Sequence, residues 1–183
     1  MDLTFPLRSA FLALPLEKEA KLQFQAIQES LKPFADFLSF QDTEQPHLTL
    51  SYWSELLEIE YQPIVDQART IAARTAPFSL RVTGAETFGK TGDERVLFLA
   101  VSFSPELATL KKLCPWPSPY PAFHPHITLA RIRHPQRFTV HKKKVMKALG
   151  DASFEIGFDR LRFYAEAEGV KQTPLEEFLF QRT

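Results

Sequence analysis

The chain holds a single cysteine, Cys114, among 183 residues, which excludes an internal disulfide and any cysteine-rich zinc site. It carries no net charge, 22 Lys+Arg against 22 Asp+Glu, so it is not built to coat nucleic acid through bulk electrostatics. No window approaches the roughly 18 uncharged apolar residues that a membrane helix needs. The N-terminus has an acid at Asp2 and lacks the small-residue cleavage site of a signal peptide. The expectation is a soluble, cytoplasmic protein with no membrane contact and no obligate protein partner. Bulky apolar material is plentiful: 44% of residues are hydrophobic and 17 are Phe. That composition argues against disorder, and the length suits one domain, or two small lobes sharing a core.

Charge is unevenly spread. Residues 1–92 hold 8 basic and 12 acidic residues, and residues 93–183 hold 14 basic and 10 acidic. Much of the excess lies in Arg131–Lys147, seven Lys/Arg with no acid. It reads as a solvated helix face or as a rim that attracts phosphate.

Apolar residues at 20, 24, 27 and 31 predict a helix over Glu17–Leu31 after a strand at Ser9–Leu16. His47–Trp53 alternates and predicts a strand, and the stripe Ile64, Ala68, Ile71 predicts a helix over Tyr61–Thr75. Strands follow at Phe78–Phe88 and Glu94–Phe103, joined by a turn at Thr91-Gly92-Asp93. Pro105–Leu113 reads as a helix capped by Ser104, and proline-rich Cys114–Pro125 as irregular. His126–Arg133 is a strand, Pro135–Gly150 a basic helix, and Phe154–Phe158, Arg160–Glu166 and Glu177–Arg182 are strands.

Part of this order occurs twice. Phe11-Leu-Ala-Leu, then a helix, leads to Pro46-His-Leu-Thr-Leu; Phe98-Leu-Ala-Val, then a helix, leads to Pro125-His-Ile-Thr-Leu. Such a repeat predicts two lobes with their His-x-Thr strands at equivalent positions. Residues i and i+2 of a strand share a face. His47 with Thr49, and His126 with Thr128, therefore present an imidazole and a hydroxyl on one side. If the lobes face each other, two imidazoles and two hydroxyls meet across a cleft. That set suits in-line displacement at a phosphodiester: one neutral imidazole takes a proton from water and the other donates to the leaving oxygen. The hydroxyls serve the non-bridging oxygens. No metal and no cofactor is required.

The motifs PHLTL and PHITLAR, with FLALPL, ERVLFLAV and FHPHITLAR, resemble those of the two-histidine phosphoesterase superfamily, the LigT-like or 2′-5′ RNA ligase group. The resemblance covers most of residues 8–165. It implies a bilobal, internally duplicated α+β fold in which antiparallel sheets line a central cleft with helices outside, so that residues 1–183 form a single two-lobed domain. It also implies metal-independent hydrolysis of a 2′,3′-cyclic phosphate on an RNA end or nucleotide, to a 2′-phosphate, or cleavage or ligation of 2′-5′ linkages. His47, Thr49, His126 and Thr128 match the catalytic motif residue by residue. Ser51-Tyr52-Trp53-Ser54 departs from the x-Phe-Leu-Gly seen in many members.

Five further residues are candidates for substrate contact. Unbroken alternation puts Trp53 on the site face, where it could stack a base; a bulge would put Tyr52 there instead. Phe123 sits at the mouth of the second motif. Arg95 and Arg131 are the cations closest to the motif strands, although strict alternation turns Arg131 away from His126. Other classes are weaker. Gly84–Thr91 satisfies the P-loop pattern G-x-x-x-x-G-K-[ST], which works only with a helix after it, and here a β-rich run follows. His124 and His126 could share a metal, but a catalytic zinc takes three protein ligands and no third is apparent. A binding module that uses the same cleft without turnover is the remaining alternative.

Overall fold

The computed structural model describes residues 3–116 and 122–181. Nine strands and four helices are present among them. The strands are β1 (Leu7–Pro15), β2 (Leu38–Phe40), β3 (His47–Leu56), β4 (Phe78–Lys90), β5 (Asp93–Val101), β6 (His126–Ile132), β7 (Phe154–Phe158), β8 (Arg160–Ala167) and β9 (Val170–Leu179). The helices are α1 (Lys18–Ser30), α2 (Glu58–Ala73), α3 (Pro105–Leu113) and α4 (Pro135–Leu149). Ser104 caps α3 as expected, its hydroxyl accepting from the Leu107 N–H.

All strand pairs are antiparallel, in the order β7-β4-β5-β6-β3-β1-β8-β9, with β2 beside β6. The motif strands β3 and β6 lie at the centre, joined through the single pair Leu48–Ile127. On each side lie three further strands in matching order: β1, β8, β9 beyond β3, and β5, β4, β7 beyond β6. The two halves of an α+β fold thus meet at the residues between the histidines and the threonines. One face of the sheet packs on the helices. Leu48, Leu50, Ile127 and Leu129 belong to one core with Phe24 of α1, Ile64 and Ala68 of α2, Leu107 and Leu110 of α3, and Phe138 and Val145 of α4. Each fully buried Phe or Leu contributes about 1.5–3 kcal/mol. The helices therefore cover the face opposite the histidines.

The repeat is real but its frame is shifted. Leu14 faces Leu48 and Leu99 faces Ile127, so Leu14 and Leu99 are equivalent. Phe98 then corresponds to Ala13, not to Phe11. A shift of two keeps every side chain on its face, which is why the alternation conceals it.

Two strand expectations need correction. The last strand is Val170–Leu179, not Glu177–Arg182, whose last residue falls outside the described ones. Pro174 inside it is tolerated because β9 is an edge strand. Leu38–Phe40 was not expected: three residues are too few to show a period. The Gly84–Thr91 segment forms the end of β4 and its turn, and β5 follows it rather than a helix. A Cβ on Gly89 would lie 2.6 Å from the Asp93 carbonyl oxygen, at φ +120°, so that glycine serves the hairpin.

Candidate active site

Both motif strands bury their residues identically: half-buried His, buried apolar, half-buried Thr, then two buried residues and one exposed. Carried out from Leu48–Ile127, the antiparallel register sets His47 level with Thr128 and Thr49 level with His126. All four side chains lie on the same face of the sheet, opposite Leu48 and Ile127. One bridging pair leaves the strands free to diverge beyond it and open the cleft.

Each imidazole is fixed by the backbone before it. The His47 Nδ1 lies 2.7 Å from the Gln45 carbonyl oxygen, and the His126 Nδ1 lies 2.8 Å from that of His124. A carbonyl can only accept, so both rings carry the proton on Nδ1 and leave Nε2 for chemistry. Under each ring lies an aromatic floor. His47 stacks on Phe11 at 4.5 Å between centroids, with Tyr164 at 5.4 Å. His126 meets Phe88 at 4.9 Å and Phe98 at 5.4 Å, both edge-to-face. Phe11, Ala13 and Tyr164 form an apolar cluster apart from the main core.

Burial against these floors disfavours the charged imidazole. It pushes His47 down to about 4, aided by the nearby His126 and opposed by the Gln45 hydrogen bond. Burial also lowers His126, against the His124 hydrogen bond. The stability consequence has a definite sign. An unfolded histidine takes up a proton near pH 6.5, while folded His47 resists until about pH 4. Folding stability should therefore fall between pH 6.5 and 4, by on the order of 2 kcal/mol from His47 after allowance for its partial solvent contact. Denaturant melts of the protein and of His47→Gln check this: the variant should lose visibly less stability over that interval. Parallel losses would contradict the burial.

The register also places the other candidates. Leu50 has no partner on β1, where Leu12 faces Ser51 and Ala13 faces Thr49. Leu129 likewise has none on β5, where Leu97 faces Ala130 and Phe98 faces Thr128. Each motif strand thus has a one-residue bulge just after its threonine, and a bulge reverses the alternation beyond it. Tyr52 consequently faces Phe11, the ring beneath His47, and is 47% exposed. Arg131 faces Val96 and is exposed. Both turn to the histidine face, each five residues after its histidine.

Three expectations are corrected. Trp53 lies on the opposite face, opposite Ala10, with its ring against Trp116 and Phe163, because of the bulge. Phe123 packs on Phe103 and under the Lys111 ammonium, not beside His126. Arg95 pairs with Asp93 at 2.6 Å near the hairpin tip, five residues or about 16 Å along β5 from Ala100, the partner of His126. Beyond Arg131 the basic segment does not rim the cleft: α4 packs on the helix-covered face. Arg133 donates to the Ala35 and Leu38 carbonyls, and Lys142 pairs at 2.8 Å with buried Glu94. Sequence reasoning missed Phe88 and Tyr164, whose nearness to the imidazoles depends on which strands flank the motif strands. Among the described residues no group of three His, Cys, Asp or Glu could hold a metal ion, and no helix is long and apolar enough to cross a membrane.

The model of the 2′-5′ RNA ligase superfamily matches residues 16–169. The chain is 28% identical over 133 residues to an RNA 2′,3′-cyclic phosphodiesterase of Geobacillus stearothermophilus, covering 66% of this chain and 41% of that one. It is 24% identical over 159 residues to an RNA 2′,3′-cyclic phosphodiesterase of Methanothermobacter thermautotrophicus, covering 83% of this chain and 84% of that one. The match thus spans under half the length of the first relative. Among solved structures, E. coli LigT in complex with NADP+ superposes with a TM-score of 0.70 at 20% identity, covering 98% of this chain and all of that one.

Proposed function

The chain belongs to the 2′-5′ RNA ligase superfamily, and we propose that it is a phosphodiesterase that opens a 2′,3′-cyclic phosphate on an RNA end or a nucleotide to a 2′-phosphate. The observation that carries the reading is the pair of imidazoles, each with Nδ1 tied to a carbonyl and each two residues before a threonine on the same face of its strand. That is the minimum apparatus for moving two protons about one phosphorus. The names of the two curated relatives point to the same substrate class.

The difference between the two floors supports a division of the roles that pseudo-symmetry leaves equal. His47, stacked on Phe11 and pushed down to about 4, stays neutral and acts as base. Its Nε2 takes a proton from water as the water oxygen bonds to phosphorus. His126, whose neighbouring rings are edge-to-face, acts as acid: its Nε2 gives a proton to the ribose 3′-oxygen as the bond from phosphorus to that oxygen breaks. Thr49 and Thr128 donate to the non-bridging oxygens. Arg131 pairs with the anionic phosphate, and Tyr52 offers an exposed ring for a base. The reading is tested by incubating the protein with a 2′,3′-cyclic nucleotide and with the 3′,5′-cyclic isomer. A 2′-phosphate from the first and nothing from the second is expected. Saturable binding without product would favour a module that uses the cleft only to bind.

A further inference from the structure

The two bulges are not left to the sheet alone. From α1, the Gln28 Nε2 donates to the Leu129 carbonyl at 2.9 Å and to the Gln41 carbonyl at 2.9 Å, and Leu129 is the bulged residue of β6. From α3, the Lys111 Nζ donates to the Leu50 carbonyl at 2.6 Å, and Leu50 is the bulged residue of β3. The arrangement is crossed. α1 follows β1 yet grips the motif strand of the other half; α3 follows β5 and does the same in return.

Gln28 is out of place by pattern. It continues the stripe Ala20, Phe24 on the buried side of α1, is 3% exposed, and leaves its Oε1 without a partner. An apolar side chain would pack there without stranding a buried acceptor. Both Nε2 hydrogens, however, are used: one on the bulged Leu129 carbonyl, which also accepts from the Gln41 N–H at 3.0 Å, and one on the Gln41 carbonyl beside it. A bulge re-aims the residues beyond it, and those beyond these two are Arg131 and Tyr52.

On the reading of the cleft given above, we propose that Gln28 and Lys111 are positioning residues: holding the bulged carbonyls of Leu129 and Leu50, they keep Arg131 and Tyr52 turned toward the histidines. Neither touches substrate. Each acts through the chain it grips, from the far side of the sheet, and each half of the molecule sets the substrate contact of the other.

The test is a double-mutant cycle on the full chain. Gln28→Met keeps the volume and removes both donors. Read-outs are KM and kcat for a 2′,3′-cyclic nucleotide and, independently of turnover, the Kd for inorganic phosphate. Arg131→Ala should raise both KM and Kd by about tenfold, as for a lost charge-assisted bond. Gln28→Met should raise both by about three- to tenfold, with kcat within about twofold and the pH profile unchanged, and should add nothing in the Arg131→Ala background. Lys111→Met should raise the nucleotide KM and add nothing to Tyr52→Ala. The proposal is overturned if the folded Gln28→Met variant keeps the wild-type phosphate Kd, if its penalty persists in full beside Arg131→Ala, or if the loss falls on kcat. An absence of turnover in the unmodified protein would instead count against the functional reading, while the phosphate Kd values still decide the clamp.

Discussion

Replacing His47 or His126 by alanine lowers the hydrolysis of a 2′,3′-cyclic nucleotide by at least about a hundredfold, the low end for a positioned acid or base. The double variant falls scarcely below the worse single one, because a base without its acid leaves the 3′-oxygen unprotonated, and an acid without its base leaves the water unactivated. Structure supplies the reason for expecting full effects from both. Each Nδ1 is held by a carbonyl two residues upstream, so each Nε2 is aimed without help from the other. Melting curves guard against the trivial explanation, since removing a ring from above Phe11 or Phe98 also exposes an aromatic surface. Small, additive losses in well-folded variants would show that these rings only pack.

The second large effect is on pH. The base must be neutral and the acid charged, so kcat/KM follows a bell whose limbs report the pair in the free enzyme. Burial moves both limbs down. The acidic limb should lie near pH 4, where His47 gains its proton. The basic limb should lie below the ordinary histidine value, because burial lowers His126. Above that limb the fraction of charged His126 falls tenfold per pH unit, so activity at pH 8.5 should be about a hundredfold or more below its acidic optimum. An anionic phosphate favours both charged imidazoles, which shifts the bell in kcat upward relative to that in kcat/KM. A plateau of kcat/KM from pH 6 to 9 would contradict the acid assigned to His126.

The helices, the motif strands and the pairing of each histidine with a threonine two residues on were legible in the sequence, since all three rest on periodicity. Less legible was everything decided by which strands are neighbours. β8 returns from the C-terminal part of the chain to flank β1, which brings Tyr164 beneath His47; no local pattern carries that information. The bulges were likewise hidden. Leu50-Ser51 and Leu129-Ala130 look like ordinary strand, and only the skipped partners on β1 and β5 show the reversal that exchanges Trp53 for Tyr52 and brings Arg131 round. The basic helix left two readings open for a different reason: its charge pattern shows an exposed face but not which side of the sheet it covers.

The most direct test of a mechanism carried by two imidazoles is turnover of a 2′,3′-cyclic nucleotide by the intact protein in excess EDTA, followed by identification of the product. The account predicts an undiminished rate and a 2′-phosphate, both lost together in His47→Ala. Loss of activity in the chelator, restored by added magnesium or zinc, would contradict it.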